Sequence, residues 1–174
     1  MHPRRNELAK GSQIIDQLLT QELLERVPAN EAEAQFWITQ AQQHLLTSEG
    51  IAFTDPEMAY DALYSAALKA LAAVLLQQGL KPTRKGGHDV LAVAFEAQLV
   101  PPLNTVVASF QRIKRQRHSG DYAGSSAGIH GELVLTDLSE AKEIVEAATK
   151  VIPSLPVYLP GPGFRPPTGS RRIH

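Results

Sequence analysis

The sequence predicts an all-α fold, an antiparallel bundle of five to six helices followed by a Pro/Gly-rich C-terminal tail. Three observations predict it. Apolar residues recur at three- and four-residue steps through most of residues 1–152, and capping residues, glycines and prolines cut that pattern into helix-length pieces. Beyond Pro153 the composition turns abruptly to proline and glycine. With 174 residues, 43% apolar and 20% charged, the chain can build one domain with a real core over residues 1–152.

The first helix is expected from about Gly11 to Val27, where Ile14, Leu18, Leu19, Leu23, Leu24 and Val27 share a face and Pro28 stops the pattern. Asn30 can cap a second helix with Glu33 at the reciprocal position, and Phe36, Trp37, Ala41, Leu45 and Leu46 follow before Gly50. Asp55-Pro56 is a cap followed by proline at the first helical position, opening a helix that runs to Gln78 and ends at Gly79. That helix is apolar around most of its circumference, which predicts the central position in the bundle. Residues 82–87 read as a loop, and His88 to Leu99 as a shorter helix with His88-Asp89 as its cap. After Pro101-Pro102, Leu103, Val106, Val107, Phe110 and Ile113 define a helix that carries basic residues outward at its end. Ser119 to Gly131 reads as a glycine- and serine-rich loop, and Leu133 to Leu135 as a short strand or an apolar docking segment. Asp137 and Glu140 form a capping pair for a last helix through about Ile152, and residues 153–174 form an extended or flexible tail.

Composition excludes several kinds of function. Seventeen basic and eighteen acidic residues leave a net charge of -1, so any contact with nucleic acid must be local rather than spread over the surface. Without cysteine there are no disulfides, thiolate nucleophiles or cysteine-ligated metals, and the six histidines show no ligand spacing. Neither a metal nor an organic cofactor is expected. The charged start lacks a secretory apolar run, and the stretch from Ala66 to Leu76 is interrupted by Lys69 and too short for a bilayer. The expectation is a cytoplasmic protein with no membrane contact.

The segment from Arg112 to Tyr122 concentrates Arg112, Lys114, Arg115, Arg117, His118 and Tyr122 near the C-terminal end of a helix. A bland reading is immediate, because cations there complement the helix dipole. The functional reading uses the same groups on RNA. Arginine forks suit phosphate, and a histidine near neutrality can exchange a proton with a ribose 2′-hydroxyl or with the leaving oxygen. Such a transphosphorylation needs no metal, and only RNA supplies the internal nucleophile. Arg112 and His118 are six residues apart and meet only if the helix bends or ends between them. Lys81, Arg84, Lys85 and His88 make a second basic cluster at a helix start, read first as a local cap. Phe36, Trp37, Met58, Tyr60 and Tyr64 read as core or dimer-interface residues.

Arg112, Arg117, His118, Asp121 and Tyr122, following a long apolar helix with Tyr60 and Tyr64 and the helix start Gly87-His88-Asp89-Val90-Leu91, resemble the HEPN (higher eukaryotes and prokaryotes nucleotide-binding) superfamily. The likeness covers about residues 31–152. It implies an antiparallel α-bundle, usually a homodimer, whose active members are metal-independent endoribonucleases. These include toxins of toxin–antitoxin systems partnered by nucleotidyltransferase-like proteins. Two registers of the family motif compete. In one, Arg112 and His118 are the catalytic pair and Arg115, Arg117 and Lys114 assist at phosphate, although Ile113 stands where a polar residue is usual. In the other, Arg117-His118 is the arginine–polar pair and Tyr122 replaces the histidine. A tyrosine is a weak base at neutral pH, so this register implies an RNA- or partner-binding module without cleavage.

Overall fold

The computed structural model describes residues 5–99, 103–120 and 128–167, and in these the chain is an all-α bundle of six helices with one two-stranded ribbon. Helix α1 spans Arg5–Thr20, and strand β1 (Leu24–Arg26) follows at once. The apolar spacing through Leu23 and Val27 predicts one continuous helix, yet the chain turns at Glu22, which takes a positive φ of 58°. Leu24–Arg26 then pair antiparallel with β2 (Leu80–Pro82). Leu24 is buried while Glu25 and Arg26 are exposed, so this is a short ribbon capping the bundle.

Helix α2 (Glu31–Ile51) starts as its sequence dictates, with the Asn30 side chain accepting from the Glu33 amide at 3.0 Å. It runs through Gly50, where the missing side chain faces open space. Helix α3 (Pro56–Gln77) is capped by Asp55, which accepts from the Met58 amide at 3.1 Å. Gly79, at φ 74°, ends it in a conformation that favours glycine, and its carbonyl accepts the Val27 amide at 2.9 Å. Helix α3 is the central element, packed against α2, α4, α5 and α6. By length and composition it could cross a membrane, but most of its surface is enclosed by those neighbours. Phe36 and Met58 are exposed rather than core, whereas Tyr60 and Tyr64 are buried.

Helix α4 (Asp89–Leu99) packs on α1, and the two approach so closely at Gly11 that a Cβ there would lie 2.1 Å from the Ala97 carbonyl oxygen. Helix α5 (Asn104–Gly120) extends through the residues expected to begin a loop. Helix α6 (Gly131–Val151) begins six residues before the predicted Asp137 cap. His130 is the actual cap, its Nδ1 accepting from the Leu133 amide at 3.3 Å, so residues 133–135 are helical rather than a strand. Asp137 is released from capping and lies fully buried inside the bundle.

A 3₁₀ turn (Ile152–Ser154) leads into the proline-rich segment, which runs extended and docks on α1. The Tyr158 amide donates to the Gln78 carbonyl at 2.8 Å, and its hydroxyl donates to Asp16 Oδ1 at 2.7 Å. The Gly161 amide donates to the other Asp16 oxygen at 3.0 Å, and Leu155 and Phe164 pack on the core.

Candidate nucleic-acid interface

The inward face of α5 fixes where each basic side chain can go. Val106, Val107, Phe110 and Ile113 are buried at three- and four-residue spacing, and Phe110 stacks on Tyr64 of α3 with ring centroids 6.1 Å apart. Residues flanking this stripe therefore reach toward neighbouring helices, and those opposite it face solvent.

Arg112 reaches α6. Its Nη2 lies 2.7 Å from Asp137 Oδ1 and 2.7 Å from Glu140 Oε2. The N–H groups do not point squarely at these oxygens, so the attraction is Coulombic more than directional. The second Asp137 oxygen accepts the Tyr60 hydroxyl at 2.6 Å, which ties α3, α5 and α6 together through one carboxylate. The Arg112 side chain is 39% exposed and that of Asp137 0%. Asp137 beside it holds Arg112 even more firmly protonated than an ordinary arginine. Burial, followed by the bond to Asp137, pushes the Tyr60 hydroxyl well above its ordinary value.

Lys114 and Arg117 are also engaged. Lys114 pairs with Asp89 at the start of α4 and holds that carboxyl below its usual range, with smaller contributions from His118 and His88. Arg117 Nε donates to Asp61 Oδ1 at 2.8 Å, and its guanidinium carbon sits 5.1 Å from the Tyr64 ring centroid. Burial raises the Tyr64 hydroxyl above its ordinary value, with Arg117 opposing.

Arg115 and His118 are exposed. Among the described residues, neither forms an ion pair. Because α5 continues unbroken to Gly120, a six-residue step leaves Arg112 and His118 about 120° apart around the helix. Arg112 faces α6, whereas His118 lies toward the Asp89 side, so one chain does not assemble the two into a single site. Tyr122, with Asp121, lies outside the described residues.

A separate concavity lies away from the end of α5. An open groove of about 890 Å³ lies between α2, α3 and the turn from β2 into α4, and Trp37, Lys69, Lys81, Arg84 and His88 line it. Lys85, grouped by sequence with Arg84 and His88, instead donates to the Gln21 carbonyl at 2.9 Å. No group of metal-ligating side chains occurs among the described residues.

Sequence reasoning missed Tyr60, Asp61, Asp89 and Asp137 as partners of the basic segment. The available signal was Asp137 itself, a carboxylate among Val134, Leu138 and Ala141 on the buried face of α6. An acid at a core-facing position needs a partner, and the basic helix beside it is the natural source. No protein-family model, curated protein or solved structure matches the chain.

Proposed function

We propose that this chain is a non-catalytic, HEPN-like helical module that binds RNA through the exposed end of α5. One observation carries the reading: Arg112 is engaged by a buried carboxylate, while Arg115 and His118 of the same helix face solvent. An arginine that serves as a transition-state clamp must be free to meet phosphate. Releasing Arg112 from Asp137 would strand a charge in the core. The two exposed groups, with Lys114 and Arg117 behind them, can contact a phosphate backbone without such a cost. A binding module therefore fits the geometry better than a metal-independent endoribonuclease built on Arg112 and His118.

The test is a fluorescence-anisotropy titration of single-stranded RNA in EDTA over a range of salt, with the same samples analysed for cleavage. Salt-sensitive binding without cleavage is expected. Replacing both Arg115 and His118 with alanine should weaken binding, and Arg115→Ala alone should lower the salt slope by about 0.7 for each phosphate that Arg115 neutralises. Metal-independent cleavage that disappears in His118→Ala would refute the proposal and restore the endoribonuclease reading. Sedimentation of the same samples checks the homodimer that the resemblance implies.

A further inference from the structure

The groove between α2, α3 and the β2–α4 turn contains a lysine in an unusual setting. Lys69 is half-buried, and its ammonium sits 4.6 Å from the centroid of the Trp37 ring. Among the described residues it has no carboxylate partner. Its charge also holds His44 below the ordinary histidine value, second to the effect of burial there. A partly desolvated cation with only a π-face for company is an incomplete electrostatic arrangement.

The rest of the groove shows what would complete it. Leu68, Ala72, Leu76 and Leu91 make an apolar floor, and Lys81 and Arg84 stand exposed on the rim. Three cations face one carboxylate, that of Glu33. The volume falls within the range of small-molecule sites, with an apolar lining and a few converging polar groups.

We propose that this groove is a binding site for a small amphiphilic anion. Its charged head pairs with Lys69 within reach of Lys81 and Arg84, and its alkyl or aryl body lies along Leu68, Ala72 and Leu76 beside Trp37. The site is independent of the exposed end of α5 and stands or falls separately from the RNA reading.

Trp37 is the single tryptophan of the chain, so its emission reports directly on occupancy. The full chain is titrated with decanoate, and in parallel with butyrate and decyltrimethylammonium. Decanoate should give a saturable change that neither butyrate nor the cationic amphiphile reproduces at the same concentration. Lys69→Met keeps the aliphatic stem on the indole and removes the charge; it should weaken decanoate binding about tenfold, the least that one charge-assisted hydrogen bond contributes. The rim variant Lys81→Gln/Arg84→Gln, at two exposed positions, should weaken it by a smaller factor. Lys85→Met, which lies outside the groove, should leave it unchanged. No saturable response, equal responses to the three compounds, or unchanged affinity in both Lys69→Met and the rim variant would overturn the proposal. So would an acidic amphipathic peptide that shifts Trp37 emission where decanoate does not, since the groove would then belong to a protein partner.

Discussion

Asp137→Ala is the sharpest perturbation of the network that immobilises Arg112. Among the described residues it removes the only acceptor for the Tyr60 hydroxyl, which is completely buried and cannot turn to water. A buried polar group left without a partner costs about 1–3 kcal/mol. Arg112 loses its buried partner but keeps Glu140, and both are partly exposed, so this loss adds only about 0–1 kcal/mol. Removing a carboxylate from the core also returns part of its desolvation cost. The net loss should be about 1–3 kcal/mol, which for a domain of this size lowers the melting temperature by roughly 2–12 °C. Asp137→Asn, which preserves an acceptor for Tyr60, should lose about 1 kcal/mol. Urea unfolding followed by circular dichroism measures both, and an unchanged slope certifies that stability alone has moved. If Asp137→Ala costs less than about 1 kcal/mol, the carboxylate does not hold the three helices together, and Arg112 would be free for another role.

Other perturbations test neighbouring features. Arg112→Met should destabilise the fold by about 3 kcal/mol, the low end for stranding a buried charge because Arg112 is itself partly exposed, while leaving RNA affinity in anisotropy titrations close to that of the parent protein. Gly11→Ala should cost about 1–3 kcal/mol or more in the same urea assay, because the new Cβ meets the Ala97 carbonyl and rigid backbone must shift; Gly131→Ala should be much milder, since the atoms nearest its Cβ belong to the ring of Phe53, which is 68% exposed and can swing away. Burial, with Asp16 adding and the Ser12 hydroxyl opposing, pushes the Tyr158 hydroxyl up to about 12. The protonated phenol is thus favoured in the folded state. Its contribution is fully present below the ordinary tyrosine value of about 10 and is lost as pH rises toward 12, so Tyr158→Phe should flatten the alkaline limb of the stability–pH curve.

The bundle was legible in the sequence where local chemistry decides structure. Asn30, Asp55-Pro56 and Gly79 mark real helix boundaries because caps, proline and left-handed glycine act within one turn of chain. The ribbon was not legible, since Leu24 pairs with Pro82 across almost sixty residues and its apolar spacing continues that of the helix before it. Asp137 and Glu140 carried the spacing of a capping box, and only the helices packed around them show that Asp137 is a core residue. The basic segment was visible as a cluster, but its division was not. Which cations are neutralised depends on Asp61, Asp89 and Asp137, drawn from three other helices. Trp37 and Lys69 likewise become one feature only when α2 lies against α3.

The docking of residues 155–161 on α1 bears on how the chain is made. Tyr158 bonds to Ser12 and Asp16, and 146 residues separate Ser12 from Tyr158. At roughly 5–20 residues per second, a ribosome needs ~7–30 s to cover that distance. Throughout that interval α1 lacks the strap that covers it, and for most of it α4 is also absent or still in the exit tunnel. Helix α1 is therefore synthesised early and packed late. A nascent chain halted before Tyr158 leaves the surface around Ser12 and Asp16 open to chaperones and proteases, and the docked strap covers that surface in the folded chain.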